Sequence, residues 1–190
     1  EEKYQQESVA ILRDTVSTLS ITIAPDLSRQ LFGASEIDPQ IYSLHIEAKY
    51  LSDTMESIQD LDRSETLLQS ALKIDPKLPY THALLAMTYN LKGMYQDCQS
   101  HLEKALEYSD GIQDDNTLAT IYNYFGIYYK GQSNYKKAIE YFEHGIDAQQ
   151  HIQDEYQYAK IHNNLGGCYR GYGTITNDIR FFDKAIDSLT

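Results

Sequence analysis

Apolar and small residues recur along this chain with the period of an α-helix, and one set of spacings returns four times. Each copy spans two successive helical segments joined by a short polar stretch. The four copies are Ala48, Leu51, Ser52, Met55, Ser64, Leu68, Ala71 and Pro76; His82, Leu85, Ala86, Tyr89, Cys98, Leu102 and Ala105; Tyr122, Phe125, Gly126, Tyr129, Ala138, Phe142 and Gly145; and His162, Leu165, Gly166, Tyr169, Asp178, Phe182 and Ala185. The pattern predicts helix pairs centred near residues 50 and 67, 86 and 101, 126 and 141, and 166 and 182.

Small residues at fixed positions predict where the helices cross closely, because a large side chain there would force them apart. Within the pairs these positions hold Ser52, Ala86, Gly126 and Gly166, and against the next pair they hold Ala71, Ala105, Gly145 and Ala185. Large wedges between paired helices are expected at Tyr89, Tyr129 and Tyr169. The register is supported by apolar residues that are each seventeenth in their copy: Leu61, Tyr95, Tyr135 and Ile175.

This order of aromatic, Leu-Gly, Tyr, Ala, Phe, Ala and Pro positions resembles the tetratricopeptide repeat (TPR) family. The resemblance implies an all-α solenoid of helix–turn–helix units, wound as a right-handed superhelix, with about four repeats and N-terminal capping helices. Such solenoids bind a peptide or protein on their concave side. An amphipathic bundle without repeats is the alternative, and four copies in register favour the repeat.

The domain organisation that follows is an N-terminal helical cap over residues 1–40 and four repeats over residues 41–190. The repeats are expected at about 45–78, 79–118, 119–158 and 159–190. In the cap, residues 4–19 form an amphipathic pattern, and Pro39 suits the first position of a long helix. The cap should pack on the first repeat and shield its face.

The distance between copies changes along the chain. Leu51 and Leu85 are 34 residues apart, whereas Leu85 and Phe125, and then Phe125 and Leu165, are 40 apart. Residues 146–158 contain neither Gly nor Pro, so the additional residues predict longer helices rather than a loose loop. Gly111, followed by the acidic run at 114–115, predicts that one helix stops there and another starts.

Composition limits the function. The chain has 190 residues and a net charge of −12, which argues against a broad basic face for nucleic acid or for an anionic membrane surface. It has no apolar run long enough to span a bilayer. The lack of an initiator Met and of a signal-peptide pattern predicts a fragment or a processed product. We expect a soluble domain, either cytoplasmic or the periplasmic part of a membrane-anchored bacterial regulator.

We find no motif for catalysis, a cofactor or a metal, and we expect a non-enzymatic protein. His82 and His162 replace aromatic residues of the repeat and are interpreted as packed side chains. Gly131 and residues 171–173 lack the Gly-Lys-Ser/Thr signature of a phosphate loop and are interpreted as turns between paired helices. Cys98 and Cys168 are two repeats apart, which predicts two buried thiols rather than a disulfide.

A second resemblance involves the N-terminal part of the repeats. The segments 8–31, 41–42, 47–51 and Ala71-Leu72-Lys73-Ile74-Asp75-Pro76 are similar to the TPR sensory portion of ToxR-like (CadC-type) winged-helix activators of bacteria. This resemblance implies a sensory or regulatory segment of a multidomain signalling protein. That function is the alternative to a protein- or peptide-binding interaction scaffold.

In TPR folds the first helix of each repeat lines the groove through its second, fifth, sixth, ninth and twelfth positions. The groove residues predicted in this way are Lys49, Tyr80, Asn90, Asn123, Tyr124, Lys130, Lys160, Asn163, Asn164 and Arg170. Asn side chains can bond the backbone of an extended peptide, and Lys and Arg can pair with acidic groups. The expected partner is therefore an acidic or extended segment. The carboxylate clamp of chaperone-binding TPR proteins is incomplete, because Asp53 replaces its Asn.

The second helix of the last repeat carries more apolar residues than a single face can bury. These residues are Phe181, Phe182, Ile186 and Leu189. Some of them should turn inward, and the others should face the place where a further repeat would stack. We expect this end either to form a homodimer contact or to continue into further sequence.

Overall fold

A computed structural model describes residues 38–111, 114–149 and 155–188. Within these ranges the chain forms eight α-helices and no β-strand. The helices are α1 (Pro39–Asp53), α2 (Ile58–Ile74), α3 (Pro79–Leu91), α4 (Tyr95–Tyr108), α5 (Asp115–Gly131), α6 (Tyr135–Gln149), α7 (Glu155–Thr176) and α8 (Arg180–Asp187). Each odd-numbered helix packs against the helix that follows it. The all-α class and the helix–turn–helix architecture are thereby confirmed.

Local sequence signals explain where several helices begin. The Asp38 carboxylate accepts a hydrogen bond from the Gln40 backbone N–H at 2.7 Å, and Pro39 takes the first helical position. Helix α2 begins with a capping box in which Asp60 accepts from the Ser57 backbone N–H at 2.9 Å. The acidic run after Gly111 supplies the cap of α5, since the Asp114 carboxylate accepts from the Thr117 backbone N–H at 3.2 Å.

The small positions do lie where paired helices cross. Of these positions, Ala71, Ala86 and Ala105 are fully buried, and Ser52 and Ala185 are half-buried. At Gly126 the ring of Phe142 occupies the space that a β-carbon would need. Gly145 lies between two pairs: a β-carbon there would lie 3.4 Å from Ile161 of the next pair and 3.6 Å from the Ala119 carbonyl oxygen of its own pair. One glycine therefore sets the approach within a pair, and the other sets the approach between pairs.

The turns within the second and third pairs are alike, but the turn of the fourth pair comes later. Gly93 and Ser133 have φ of +74° and +58°, and each reverses the chain just after its first helix. In the fourth pair Gly173 is helical and buried, and the left-handed residue is Asn177, with φ of +53°. Helix α7 is therefore about one turn longer at its C-terminal end than α3 and α5.

This longer α7 corrects two sequence-based predictions. Residues 171–173 are not a turn, because they lie inside α7, where Gly171 approaches the Tyr135 ring and Gly173 approaches Phe181. Ile175 does not begin the second helix of its pair, because it lies in α7 and is 66% exposed. Helix α8 consequently packs beside the extra turn of α7. Phe182 lies against Gly173 rather than in the fully buried position that Phe142 holds in the third pair.

The first pair also departs from the pattern. Helix α1 ends at Asp53, where the Thr54 hydroxyl donates to the Tyr50 carbonyl oxygen at 2.8 Å. Met55 therefore lies outside the helix and is exposed, so it is not the counterpart of Tyr89 in the second pair. The hydroxyl and carboxylate side chains around residues 54–60 favour a turn and a new cap over continuation of α1.

The additional residues of the longer spacings lie partly in helices. Helix α5 has 17 residues and α7 has 22, compared with 13 in α3. The turn predicted at Gly111 is present, with φ of +78°. Residues 112–113, 150–154 and 189–190, and residues 1–37 of the predicted cap over residues 1–40, lie outside the described residues. The division into a cap and four bounded repeats stays a prediction.

Gly126 offers a direct test of close helix crossing. We expect Gly126→Leu to lower stability by about 1–3 kcal/mol through overpacking against Phe142. The matched control is Gly131→Ala in the same helix, because no atom lies within 4 Å of the β-carbon it would add. That control should be neutral or stabilising. Urea denaturation of both variants measures the difference, and an unchanged midpoint for Gly126→Leu would show that residue 126 is not a crossing point.

Buried histidines predict a loss of stability in acid. His45 is 2% exposed, its Nε2 lies 2.6 Å from the Thr81 hydroxyl, and burial lowers its pKa to about 4. The unfolded chain binds this proton near pH 6.5 and the folded chain only near pH 4. Neutral His45 therefore makes its full contribution to stability above pH 6.5, and this contribution is lost as the pH falls from about 6.5 to about 4. The full loss is on the order of 3 kcal/mol.

The variant His45→Gln removes this titration and keeps a polar side chain facing Thr81. Thermal melts of both proteins between pH 7.5 and 4.5 should show a smaller decrease in melting temperature for the variant. Equal decreases would mean that His45 is already protonated in the folded protein or does not contribute.

Candidate functional site

The first helices of the four pairs form one continuous layer. Helix α1 contacts α3, α3 contacts α5, and α5 contacts α7. Among the described residues, no such contact joins the second helices α2, α4, α6 and α8 to one another. Because one layer is closely packed and the other is spread, the stack curves toward the first helices. Their free surface is the candidate groove, and the candidate residues predicted from sequence lie on these helices.

Three of the ten candidate residues are joined by hydrogen bonds across two helices. The Lys130 Nζ on α5 donates to the Asn164 Oδ1 on α7 at 3.5 Å. The Asn164 Nδ2 donates to the Asn123 Oδ1 on α5 at 3.2 Å. Asn123 is 3% exposed, whereas Lys130 and Asn164 are half-buried. We call these three side chains the Lys130–Asn164–Asn123 row.

Two candidate tyrosines form an aromatic part of the layer, in which Tyr124 is buried and Tyr80 is half-buried. Tyr124 is 7% exposed, and Tyr80 packs edge-on against His45 at 5.3 Å between ring centroids. Burial raises the pKa of both phenols, and the negative charge of Asp53 raises it further. Both rings therefore stay neutral. The two rings therefore contribute packed aromatic surface beside α1 and α3 rather than polar groups for a partner.

The remaining candidates in the first two pairs are already engaged or buried. Lys49 forms an ion pair with Asp53, one turn along α1. The Asn90 Oδ1 on α3 is buried and has no hydrogen-bond partner. In the fourth pair Lys160 is half-buried, while Asn163 and Arg170 are exposed. Lys130, Lys160 and Arg170 form no ion pair with any described residue.

Sequence reasoning missed two neighbours of the row. The Gln157 Nε2 on α7 donates to the Thr120 Oγ1 on α5 at 3.1 Å, so a second polar contact joins the same two helices. Gly167 faces the Lys130 ammonium, since a β-carbon there would lie 3.1 Å from the Nζ atom. Thr120 and Gly167 hold the second and ninth positions of their repeats, so the positional pattern was a signal that could have identified both.

The other polar side chains have structural explanations. The His82 Nε2 donates to the Pro76 carbonyl oxygen at 3.0 Å, and its Nδ1 lies 2.9 Å from the His101 Nδ1. Burial lowers the pKa of both histidines, that of His101 to about 4. The thiols of Cys98 and Cys168 are free and buried, and burial raises their pKa to about 12 and about 11.

Neither a metal-binding cluster nor a membrane-spanning helix is present in the part of the chain that the structure describes. No group of three or more histidine, cysteine, aspartate or glutamate side chains is arranged to hold a metal ion. None of the helices there has the length and apolar character needed to cross a membrane.

Comparisons with known proteins agree with this architecture. The tetratricopeptide repeat family model matches residues 79–151. No curated protein matches the sequence. Among solved structures, the chain is similar to BtubC (BKLC) from P. vanneervenii, with a TM-score of 0.59, 19% identity, and coverage of 96% of this chain and 78% of that one.

Two further structures show the same fold. The Sgt2 TPR domain from Aspergillus fumigatus has a TM-score of 0.57 and 18% identity, over 74% of this chain and 83% of that chain. MamA has a TM-score of 0.55 and 16% identity, over 98% of this chain and 92% of that chain. At these identities the likeness concerns the fold alone.

The resemblance to the tetratricopeptide repeat family is therefore confirmed: the family model matches residues 79–151, and the described residues fold as an all-α solenoid of helix pairs. Proteins of this fold are generally non-catalytic interaction scaffolds. These matches give no support to the resemblance to ToxR-like activators. A place in a bacterial regulator stays a prediction.

Proposed function

We propose that this chain is a non-catalytic module that binds a segment of another protein in the groove formed by α1, α3, α5 and α7. The observation that carries the proposal is the Lys130–Asn164–Asn123 row, which places polar side chains from successive first helices side by side. The ten groove residues predicted from sequence are the proposed contact set. Their amide and cationic groups suit the backbone and the acidic side chains of an extended peptide.

The charge distribution supports an acidic partner. The chain as a whole carries a net charge of −12. Yet Lys130, Lys160 and Arg170 lie on α5 and α7, where no described carboxylate pairs with them. Lys49, in the first pair, is instead neutralised by Asp53. An acidic segment would meet attraction at the end of the groove formed by α5 and α7 and repulsion over much of the remaining surface.

The groove can be tested without a known partner. Random peptides displayed on phage and selected on the protein should include binders that compete with one another for one site. We expect Lys160→Glu and Asn164→Ala to weaken these binders. Lys160→Glu should leave the melting temperature unchanged, whereas Asn164→Ala should lower it, because the buried Asn123 Oδ1 loses its donor. Added salt should weaken them as well, because partly exposed charges are screened.

The matched control is Lys136→Glu, because Lys136 is exposed on α6, in the layer of second helices. It makes the same charge change outside the groove and should leave binding unaltered. Selected peptides that bind both groove variants as tightly as the parent would place the site elsewhere, most simply on the outer face.

We also infer a homodimer contact at the C-terminal pair. Phe181 packs inward against Tyr169 and Tyr172, but Phe182 is 38% exposed and Ile186 is 62% exposed. Phe142 and Leu102, the counterparts of Phe182 in the preceding pairs, are fully buried. Exposed apolar stripes of this kind commonly mark a contact surface.

Light scattering tests this contact. The parent chain should show a mass above that of a monomer at high protein concentration, and Ile186→Glu should restore the monomer. The control is Ile58→Glu, which changes another exposed isoleucine, at the start of α2, and should leave the mass unchanged. A parent chain that is strictly monomeric would overturn the inference.

A further inference from the structure

A cleft lies between α4 and α5, outside the groove formed by the first helices. Its walls include Leu106 and Glu107 of α4 and Leu118 and Tyr122 of α5, and its volume is about 610 Å³. Tyr122 contacts His144 of α6, with 5.5 Å between ring centroids, so its ring lies toward the layer of second helices. The cleft is therefore separate from the groove and has room for a long side chain of a partner.

One wall of the cleft is aromatic and apolar. Leu106, Leu118 and Tyr122 are half-buried, so each leaves part of its side chain free to contact a ligand. The Tyr122 ring lies 6.4 Å from that of Tyr141, which in turn stacks on Tyr129 at 5.4 Å with 10° between the ring planes. We call Tyr122, Tyr141 and Tyr129 the tyrosine row. The faces of such rings carry a negative electrostatic potential and attract cations.

One end of the tyrosine row already holds a cation. The Lys137 Nζ lies over the Tyr129 ring, 5.0 Å from its centroid. Among the described residues, no lysine or arginine lies over the Tyr122 ring at the other end, which is the end that lines the cleft. The chain thus uses this aromatic surface for one cation of its own and leaves a second position open.

Another edge of the cleft is acidic. Glu103, Glu107 and Asp110 line it, and all three are exposed. None of them forms an ion pair with any described residue, including Lys104, which lies between the two glutamates on α4. The Glu103 Oε1 accepts a hydrogen bond from the neutral Gln99 side chain, whose Nε2 lies 2.9 Å away. The negative charge of this edge is therefore not balanced within the described part of the chain.

The acidic edge and the aromatic wall together select the kind of ligand. The carboxylates are not arranged to hold a metal ion, since no group of three or more acidic, histidine or cysteine side chains in the described residues has that geometry. An organic cation can instead contact an aromatic face and carboxylates that lie further apart. A guanidinium group fits best, because it is planar, stacks on aromatic rings and donates several hydrogen bonds from one fork. An ammonium group is a compact and strongly hydrated charge.

We propose that the cleft binds an arginine side chain from a basic segment of a partner protein. The guanidinium packs on the Tyr122 ring and donates to the carboxylates of Glu103 and Glu107. The aliphatic carbons of the arginine contact Leu106 and Leu118. This site lies outside the groove and takes a ligand of opposite charge to the one proposed there. The net charge of −12 favours the approach of a basic segment.

The probe is an acetylated and amidated pentapeptide, Gly-Arg-Gly-Arg-Gly. Its counterpart with citrulline in place of arginine keeps the shape of the side chain and removes the charge, and a third peptide carries lysine. Titrations followed by the amide chemical shifts of the isotope-labelled protein should show saturable changes centred on residues 103–111 and 118–122. We expect the arginine peptide to bind at least about tenfold more tightly than the citrulline peptide, which corresponds to about 1.4 kcal/mol. It should also bind more tightly than the lysine peptide.

Three variants identify the groups responsible. Glu107→Gln removes one carboxylate with little change in the shape of the exposed side chain, and Tyr122→Leu removes the ring. Both should reduce the preference for arginine over citrulline, whereas Tyr122→Phe keeps the ring and should retain the preference. Tyr122→Leu should also lower the melting temperature, because Tyr122 is half-buried. Glu107→Gln decides the test if the Tyr122→Leu protein does not fold.

The controls are Glu155→Gln on α7 and Tyr50→Leu on α1, which make the same changes at exposed positions and should retain the preference for arginine. Equal binding of the arginine and citrulline peptides, or no binding at millimolar concentration, would overturn the proposal. So would a preference that persists in both Glu107→Gln and Tyr122→Leu. Lysine peptide that binds as tightly as arginine peptide would overturn the assignment to a guanidinium. Loss of the preference in Tyr122→Phe would overturn the stacking on the ring, because it would assign binding to the phenol hydroxyl.

Discussion

Close crossing of helices at positions without a bulky side chain is the constraint on which the rest of this structure depends. At Gly126 the Phe142 ring fills the place of a β-carbon, and at Gly145 the next pair approaches to ordinary contact distance. Backbones that come this close exclude water and bury the aromatic residues around them. The first helices consequently touch one another, while the second helices do not. The curvature of the stack, and hence the groove, follows from this packing.

The same packing determines the polar chemistry of the groove. Helices α5 and α7 lie close enough for Asn164 to reach Asn123 and for Gln157 to reach Thr120. Each of these groups would be costly to bury alone, and pairing across the helices removes much of that cost. The contact of Gly145 with Ile161 on α7 therefore bears on the hydrogen-bond geometry. A substitution at Gly145 would therefore alter the geometry of the groove, although Gly145 is not one of the groove residues.

Periodicity and spacing predicted the four helix pairs, because small residues must stand where backbones meet. The same register misplaced the fourth turn at residues 171–173. Gly173 stays helical there and packs against Phe181, while Asn177 tolerates the left-handed conformation one turn later. In the groove, position alone identified the candidate residues. It could not predict that Tyr124 is buried or in which direction the asparagines donate, because these depend on neighbours from other helices. The pairing of Asp53 with Lys49 depends only on a separation of four residues along one helix, so the sequence did contain that signal.

The lysines at the two ends of the groove have different partners, and this affects how strongly each can attract an anion. Lys49 is neutralised within its own helix by Asp53, so bringing a partner to α1 gains little electrostatic energy. Lys130 is half-buried, and its hydrogen-bond partner among the described residues is a neutral amide. A partly desolvated ammonium without a counter-charge interacts more strongly with an incoming anion than an exposed one, because less water screens it. Electrostatic selectivity should therefore be concentrated between α5 and α7, with the aromatic surface of α1 and α3 contributing mainly shape.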